Sequence, residues 1–273
     1  YATTLSLPWN LQVRAGQFLN RMGRLNNTHP HSWKFVDQPI ANGKFFGGEG
    51  SRGLGAEMSV LLPLPWYAMA LIAATDAAGE CCARSFYGGD DLGVDGFGNF
   101  VVTGRLEQFF PFGPDWSLMW GMSAQTGPNS TGNENRTRIV NSDLYLRWRP
   151  TASAWRQTLA LTVEGNHRSR QVPDDVLEDW GGYAQLVWNP FIRWETGFRY
   201  EYVSGLPEDP IDPDWTDDRE RWSGQLTFYP SHFSRIRVQG SLDNPRWRAT
   251  PIRAVFLALE VVAGAHGSHG FGT

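Results

Sequence analysis

The chain has 273 residues, with 24 Lys and Arg against 28 Asp and Glu, for a net charge of −4 at pH 7. That balance leaves no basic footprint for a nucleic-acid partner. The two cysteines, adjacent at Cys81 and Cys82, make no disulfide framework, and no apolar run approaches the ~18 residues of a membrane helix.

What fills the chain is a β rhythm. Candidate strands run, in order, over 2–7, 11–19, 55–62, 67–75, 98–110, 116–125, 138–149, 155–166, 181–188, 192–203, 222–228, 235–243 and 253–264. The clearest is 192–203: Trp194, Thr196, Phe198, Tyr200 and Tyr202 fall on one face, and Arg193, Glu195, Gly197, Arg199 and Glu201 on the other. Side chains alternate faces along a strand, so this one is aromatic on one side and ionic on the other. Short connections such as Pro63–Trp66, Pro111–Pro114, Asn189–Phe191 and Pro230–Phe233 carry proline, which presets a turn and cannot continue a ladder. They alternate with longer connections at 20–54, 76–97, 126–137, 167–180, 204–221 and 244–252.

Short turns at one end, long loops at the other and a two-faced strand pattern predict an all-β fold. The architecture expected is an antiparallel transmembrane β-barrel of the bacterial outer membrane, lipid outside and water inside. Thirteen strands with an even-count rule predict about fourteen or more in the intact protein, with at least one strand upstream of Tyr1. The whole of 1–273 reads as one barrel domain. No signal peptide is seen at Tyr1.

Alternation assigns Arg14, Glu57, Arg105, Glu107, Asp143, Tyr145, Arg147, Arg149, Arg156, Glu164, Arg193, Glu195, Arg199, Glu201, Arg235, Arg237 and Glu260 to the lumen. A charge on the lipid face would cost ~2–4 kcal/mol near the midplane, which drives the assignment. The mixture of Arg and acid predicts cross-strand ion pairs and a weakly selective pore, with a filled structural barrel as the bland reading. The long stretch 20–54 is expected to fold into the lumen as a constriction. Its His29 and His31 are candidate metal ligands, as are His266 and His269 in the tail. The acidic run Glu208–Glu220 reads as a solvated extracellular loop able to attract calcium or to sit over the cations that bridge lipopolysaccharide; its spacing is not that of an EF-hand. No nucleophile elbow or triad motif appears, and Gly47–Gly55 lacks the Lys-Ser/Thr of a phosphate loop, so no enzyme is expected.

Several motifs resemble a known family. They are Leu11–Phe18, Gly23–Asn26, His29–Trp33 and Asp37–Pro39; Phe86–Asp91 and Asp179–Gln185; and the ending Gly264–Phe271, whose near-terminal aromatic suits outer-membrane assembly. Together they resemble outer-membrane proteins of myxobacteria and related diderms labelled "zinc-regulated TonB-dependent outer membrane receptor". The Gly16-Gln-Phe18 to Gly23-Arg24 stretch is more weakly similar to phosphate-selective porins. The resemblance implies an outer-membrane barrel and, through its label, metal uptake.

Three functions follow as expectations. The leading one is a porin-like channel for passive diffusion of small hydrophilic solutes or ions. The second is zinc-specific uptake through His29 and His31. The third is a structural barrel that scaffolds a partner of the cell envelope. No cofactor is needed by the first or the third; zinc and calcium are the ions these residues would take. Lipid, lipopolysaccharide and small solutes are the expected partners, with a homo-oligomer also compatible.

Overall fold

The structure, a computed structural model, describes residues 1–4, 7–76, 84–86, 97–132, 134–152, 157–209 and 213–262. Thirteen strands form one antiparallel sheet in which every strand pairs with its sequence neighbours. They are β1 (Ala2–Thr3), β2 (Leu11–Leu19), β3 (Arg52–Leu61), β4 (Tyr67–Thr75), β5 (Val101–Phe112), β6 (Trp116–Pro128) and β7 (Arg136–Trp148). The remainder are β8 (Thr158–Val172), β9 (Asp175–Phe191), β10 (Trp194–Val203), β11 (Arg219–Ser231), β12 (Ser234–Pro245) and β13 (Ile252–Val261).

Each expected strand is present, and the all-β class is as the sequence predicts. Two differences stand out. The sheet is open, with β1 and β13 as its edges and no ladder between them among the described residues. The stretch 167–180, expected as a long loop, is instead a hairpin extension: β8 and β9 pair as far as Val172 and Asp175. Pro173 and Asp174 make the turn, with Asp174 in the left-handed region at φ 67°.

The two faces follow the alternation. On β10, Glu201 and Arg199 are 0% and 1% exposed, whereas Phe198 on the opposite face is 50% exposed. The outward face is apolar from β2 to β13. Aromatics mark both of its ends. Trp116 packs on Trp148 and Trp194 on Phe228 near the short turns, and Trp180 packs on Tyr202 and Tyr200 on Trp222 near the long connections. Trp194 and Tyr202 are eight residues apart on one strand, so the two rings of aromatics are separated by about 26 Å along it at ~3.3 Å per residue. Among the described residues no helix is long and apolar enough to cross a membrane.

The inward face is concave around residues 20–51. Asn20 reaches Thr75 of β4, the Gly23 amide donates to Ser123 of β6, and the Leu25 amide to Glu164 of β8. Further along, the Ile40 amide donates to Glu201 of β10 and the Val36 amide to Gln239 of β12. Neighbouring strands lie ~4.8 Å apart, so a flat sheet would place β4 and β12 nearly 40 Å from each other. Arg105 of β5 and Tyr229 of β11 line a single cavity under the segment, which a flat sheet would not allow, so the sheet curls. The segment contains the short helix α1 (Ile40–Phe46), which starts after Pro39 and stops at Gly47, whose φ of 87° only glycine adopts without strain. Ile40, Ala41, Phe45 and Phe46 pack with Met22, Phe86, Val101, Ile139 and Val203, so the apolar core lies inside the curl, near the long connections.

Candidate functional site

The interior is a set of ion pairs that joins the inserted segment to the wall. Burying one charge alone is costly, whereas a pair with good hydrogen-bond geometry offsets part of the desolvation. Four groups of residues do this.

Near the long connections, Lys44 of α1 lies 2.8 Å from Asp179 of β9. Arg168 of β8 grips the same carboxylate with two bonds, from Nε at 2.8 Å and from Nη2 at 2.7 Å. Arg170 meets Asp209 at 2.6 Å, and Arg168 lies 3.6 Å from it. Phe45 lies under the Arg168 guanidinium and Trp215 under Lys44.

A second group holds the stretch before α1. Asp37 pairs with Arg199 at 2.7 Å and with Arg221 at 2.8 Å, and Gln239 donates to it. Glu201 takes both arginines from the other side, at 2.6 and 2.8 Å. Burial of Asp37 pushes its pKa up, but the Arg199 and Arg221 guanidiniums and the Gln239 and Arg199 hydrogen bonds outweigh it and hold the carboxyl below its ordinary value. The docked segment therefore favours the ionised carboxylate. The stabilisation is complete above the ordinary carboxylate pKa of about 4 and is lost as pH falls through the lower docked value. We expect amide protection factors over 36–40 to fall on acidification below about pH 4. In Asp37→Asn they should be low already at pH 7 and respond less to acid; equal protection in variant and parent at pH 7 would contradict this.

The middle of the interior centres on Arg105, which bonds Asp143 at 2.6 Å, Glu107 at 3.1 Å and Ser123 at 2.9 Å. Glu164 beside it accepts from the Arg24 and Leu25 amides, from Asn141 and from the Tyr183 hydroxyl. Gly23 sits against this carboxylate with φ 65°, and a Cβ there would overlap it, which explains glycine at this position. Near β2, Glu57 takes Arg14 at 2.8 Å and Arg21 at 3.4 Å.

Toward the short turns, Lys34 meets Glu195 at 2.9 Å, and Arg235 bonds Glu260 and the His31 carbonyl. Arg237 donates to the Trp33 carbonyl at 3.1 Å and lies 3.7 Å from Glu260. Below the segment at this end lies a cavity of about 490 Å3, whose lining includes Arg147 and Arg149.

Most of the residues that alternation assigns inward are thus inward, and the structure joins them as pairs. Arg149 and Arg193 are the exceptions: Arg149 follows the last residue of β7, Arg193 falls in the turn between β9 and β10, and both are exposed. Arg156, His266 and His269 lie outside the described residues, as do Cys81 and Cys82. His29 and His31 are exposed and stack on each other, 5.6 Å between ring centres and 8° apart. No group of three metal-ligating side chains forms among the described residues. The acidic stretch 208–220 is not simply solvated: Asp209 is buried on Arg170, while Asp218 and Glu220 hold Arg246 at 3.2 and 2.9 Å.

The loop that the sequence predicts over 167–180 hides Arg168, Arg170 and Asp179. The signal was present, since all three share the inward parity of Glu164 and Tyr183. Lys34 and Lys44, the chain's only lysines, both lie in the inserted segment and both pair with wall carboxylates.

No protein-family model matches the chain. It is similar to an uncharacterized protein of Aquifex aeolicus (strain VF5), at 30% identity over 294 aligned residues. That alignment takes in 99% of this chain and 62% of the relative, so the chain spans a little under two thirds of the length of the protein it matches.

Proposed function

We propose that the sheet is the wall of a β-barrel in the bacterial outer membrane, and that the protein acts as a constricted channel for passive passage of small hydrophilic solutes or ions. The carrying observation is the division between faces. An ionic inward face, laced with ion pairs and hydrogen bonds, lies behind an apolar outward face with aromatic rings at both ends. A soluble sandwich would cover that outward face with a second sheet. In a barrel, lipid covers it, and with strands tilted ~35–45° the ~26 Å along β10 between the aromatic rings spans about 20 Å of an apolar band about 25 Å tall. The motif resemblance to outer-membrane receptors agrees with this reading.

The segment 20–51 sets the constriction. Its pairs with Arg199, Glu201 and Asp179 close the lumen toward the long connections. Conduction on this reading needs the segment to shift, so currents are small and gated rather than wide and steady. The filled interior also supports a second reading, a closed barrel that scaffolds other envelope proteins. Single-channel recording of the purified protein in planar bilayers separates them. Discrete, low-conductance openings support the channel; silence over many verified insertions would replace it with the scaffold.

A further inference from the structure

We infer that the cavity at the short-turn end is a binding site for small organic anions, a carboxylate, sulfonate or phosphate carried on an aromatic body. This site is distinct from the ion pairs that close the lumen, and it goes beyond the channel reading in naming a ligand class.

Charge is the first argument. The described lining carries five cationic side chains, Arg24, Lys34, Arg105, Arg147 and Arg149, against two carboxylates, Glu107 and Glu195. Both carboxylates are already engaged, Glu107 by Arg105 and Glu195 by Lys34. The excess is positive, in a recess whose protein walls screen charge less than bulk water does.

Geometry is the second. The Arg24 guanidinium lies 3.8 Å from the centre of the Tyr145 ring and touches the Met119 sulfur at 3.1 Å. Among the described residues it has no carboxylate partner. Stacking holds the guanidinium flat, which leaves a planar set of donors suited to two-pronged recognition of an oxyanion. Arg147 and Arg149 also line a second recess at the turns after β5 and β7, together with Asp115, so they mark the mouth of the cavity, and Arg24 of the inserted segment marks its roof.

The third argument is the remaining wall. Trp33, Tyr145, Tyr183, Tyr229 and Phe191 line it, and a volume of about 490 Å3 is within the range of small-molecule pockets. A bare inorganic ion would leave most of that aromatic surface in water. An aromatic anion covers it while placing its charge between roof and mouth.

The test is calorimetric titration of the full chain in detergent micelles with isophthalate, benzylammonium and inorganic phosphate. Because it reads binding without a bilayer, it fails independently of the channel reading. Isophthalate is expected to bind one per chain, benzylammonium not at all, and phosphate at least tenfold more weakly. Arg24→Met and Arg149→Met should each weaken isophthalate by about tenfold, the loss of one charge-assisted contact. Arg149 is exposed in its turn, so that variant keeps the test valid if Arg24→Met fails to fold. Equal binding of the cation, equal binding of phosphate, or unchanged affinity in Arg149→Met would each overturn the assignment.

Discussion

Excising residues 21–50 and joining Asn20 to Ser51 through Asn-Gly is expected to raise single-channel conductance severalfold and to abolish gating. The excision is geometrically mild. The β2–β3 ladder already runs to Leu19 and Arg52, and the Asn20 amide donates to the Ser51 carbonyl at 2.9 Å. Two residues of a type I′ turn close such a pair in a two-strand hairpin. The wall charges that lose their partners, Glu195, Glu201, Arg199 and Asp179 among them, then face water instead of an apolar void, so their hydration replaces the lost pairs. Conductance equal to that of the parent would show that the segment is not the constriction.

The largest single-residue effect is expected from Asp179→Asn. In the group near the long connections, Asp179 is shared by Lys44 and Arg168, both fully buried. Neutralising it strips two buried cations of their carboxylate at once. Breaking a buried pair by removing one partner costs about 3–5 kcal/mol, and here the remaining carboxylate, Asp209, already serves Arg170. Arg168→Met should cost clearly less. It leaves Lys44 on Asp179 and Arg170 on Asp209, two matched pairs, and a thioether chain that fills part of the vacated volume. Urea unfolding of the refolded protein, followed by tryptophan emission, ranks the two. If Arg168→Met is the more damaging, the shared-carboxylate account is wrong.

The sheet was legible because its alternation is strict. On β10 every even position from Trp194 to Tyr202 points out, and the odd positions from Glu195 to Val203 point in. Partners on β9 and β11 follow the same parity. Legibility ended where the apolar face ended. From His167 to Gln171 both faces of β8 are polar, so the strand has no greasy side by which to be recognised, and a loop was expected. The insertion of the β2–β3 connection could be anticipated from its length, but not its partners. Nothing near Asp37 in sequence indicates Arg199 and Arg221, and nothing near Lys44 indicates Asp179. Such pairings are set by the curl of the sheet and not by local pattern. Arg193 shows the converse: its parity is inward, but the strand stops one residue too soon for parity to matter.

The distances along the chain between the segment and its partners impose an order on assembly. Every ladder in the sheet joins strands that are consecutive in sequence, so the wall can grow one hairpin at a time. The inserted segment is different. Its anchors lie 161 residues away at Glu195 and Glu201 and 203 residues away at Gln239. It enters early in the chain and gains its first holds on β4, β6 and β8, but the stretch from Lys34 to Ile40 is not anchored until β10 and β12 exist. Contacts of such long range are slow to form, because the loop they close must be ordered first. The wall can therefore begin to hold the segment as β4, β6 and β8 form, but the segment, synthesised among the first parts, reaches its full set of anchors only among the last.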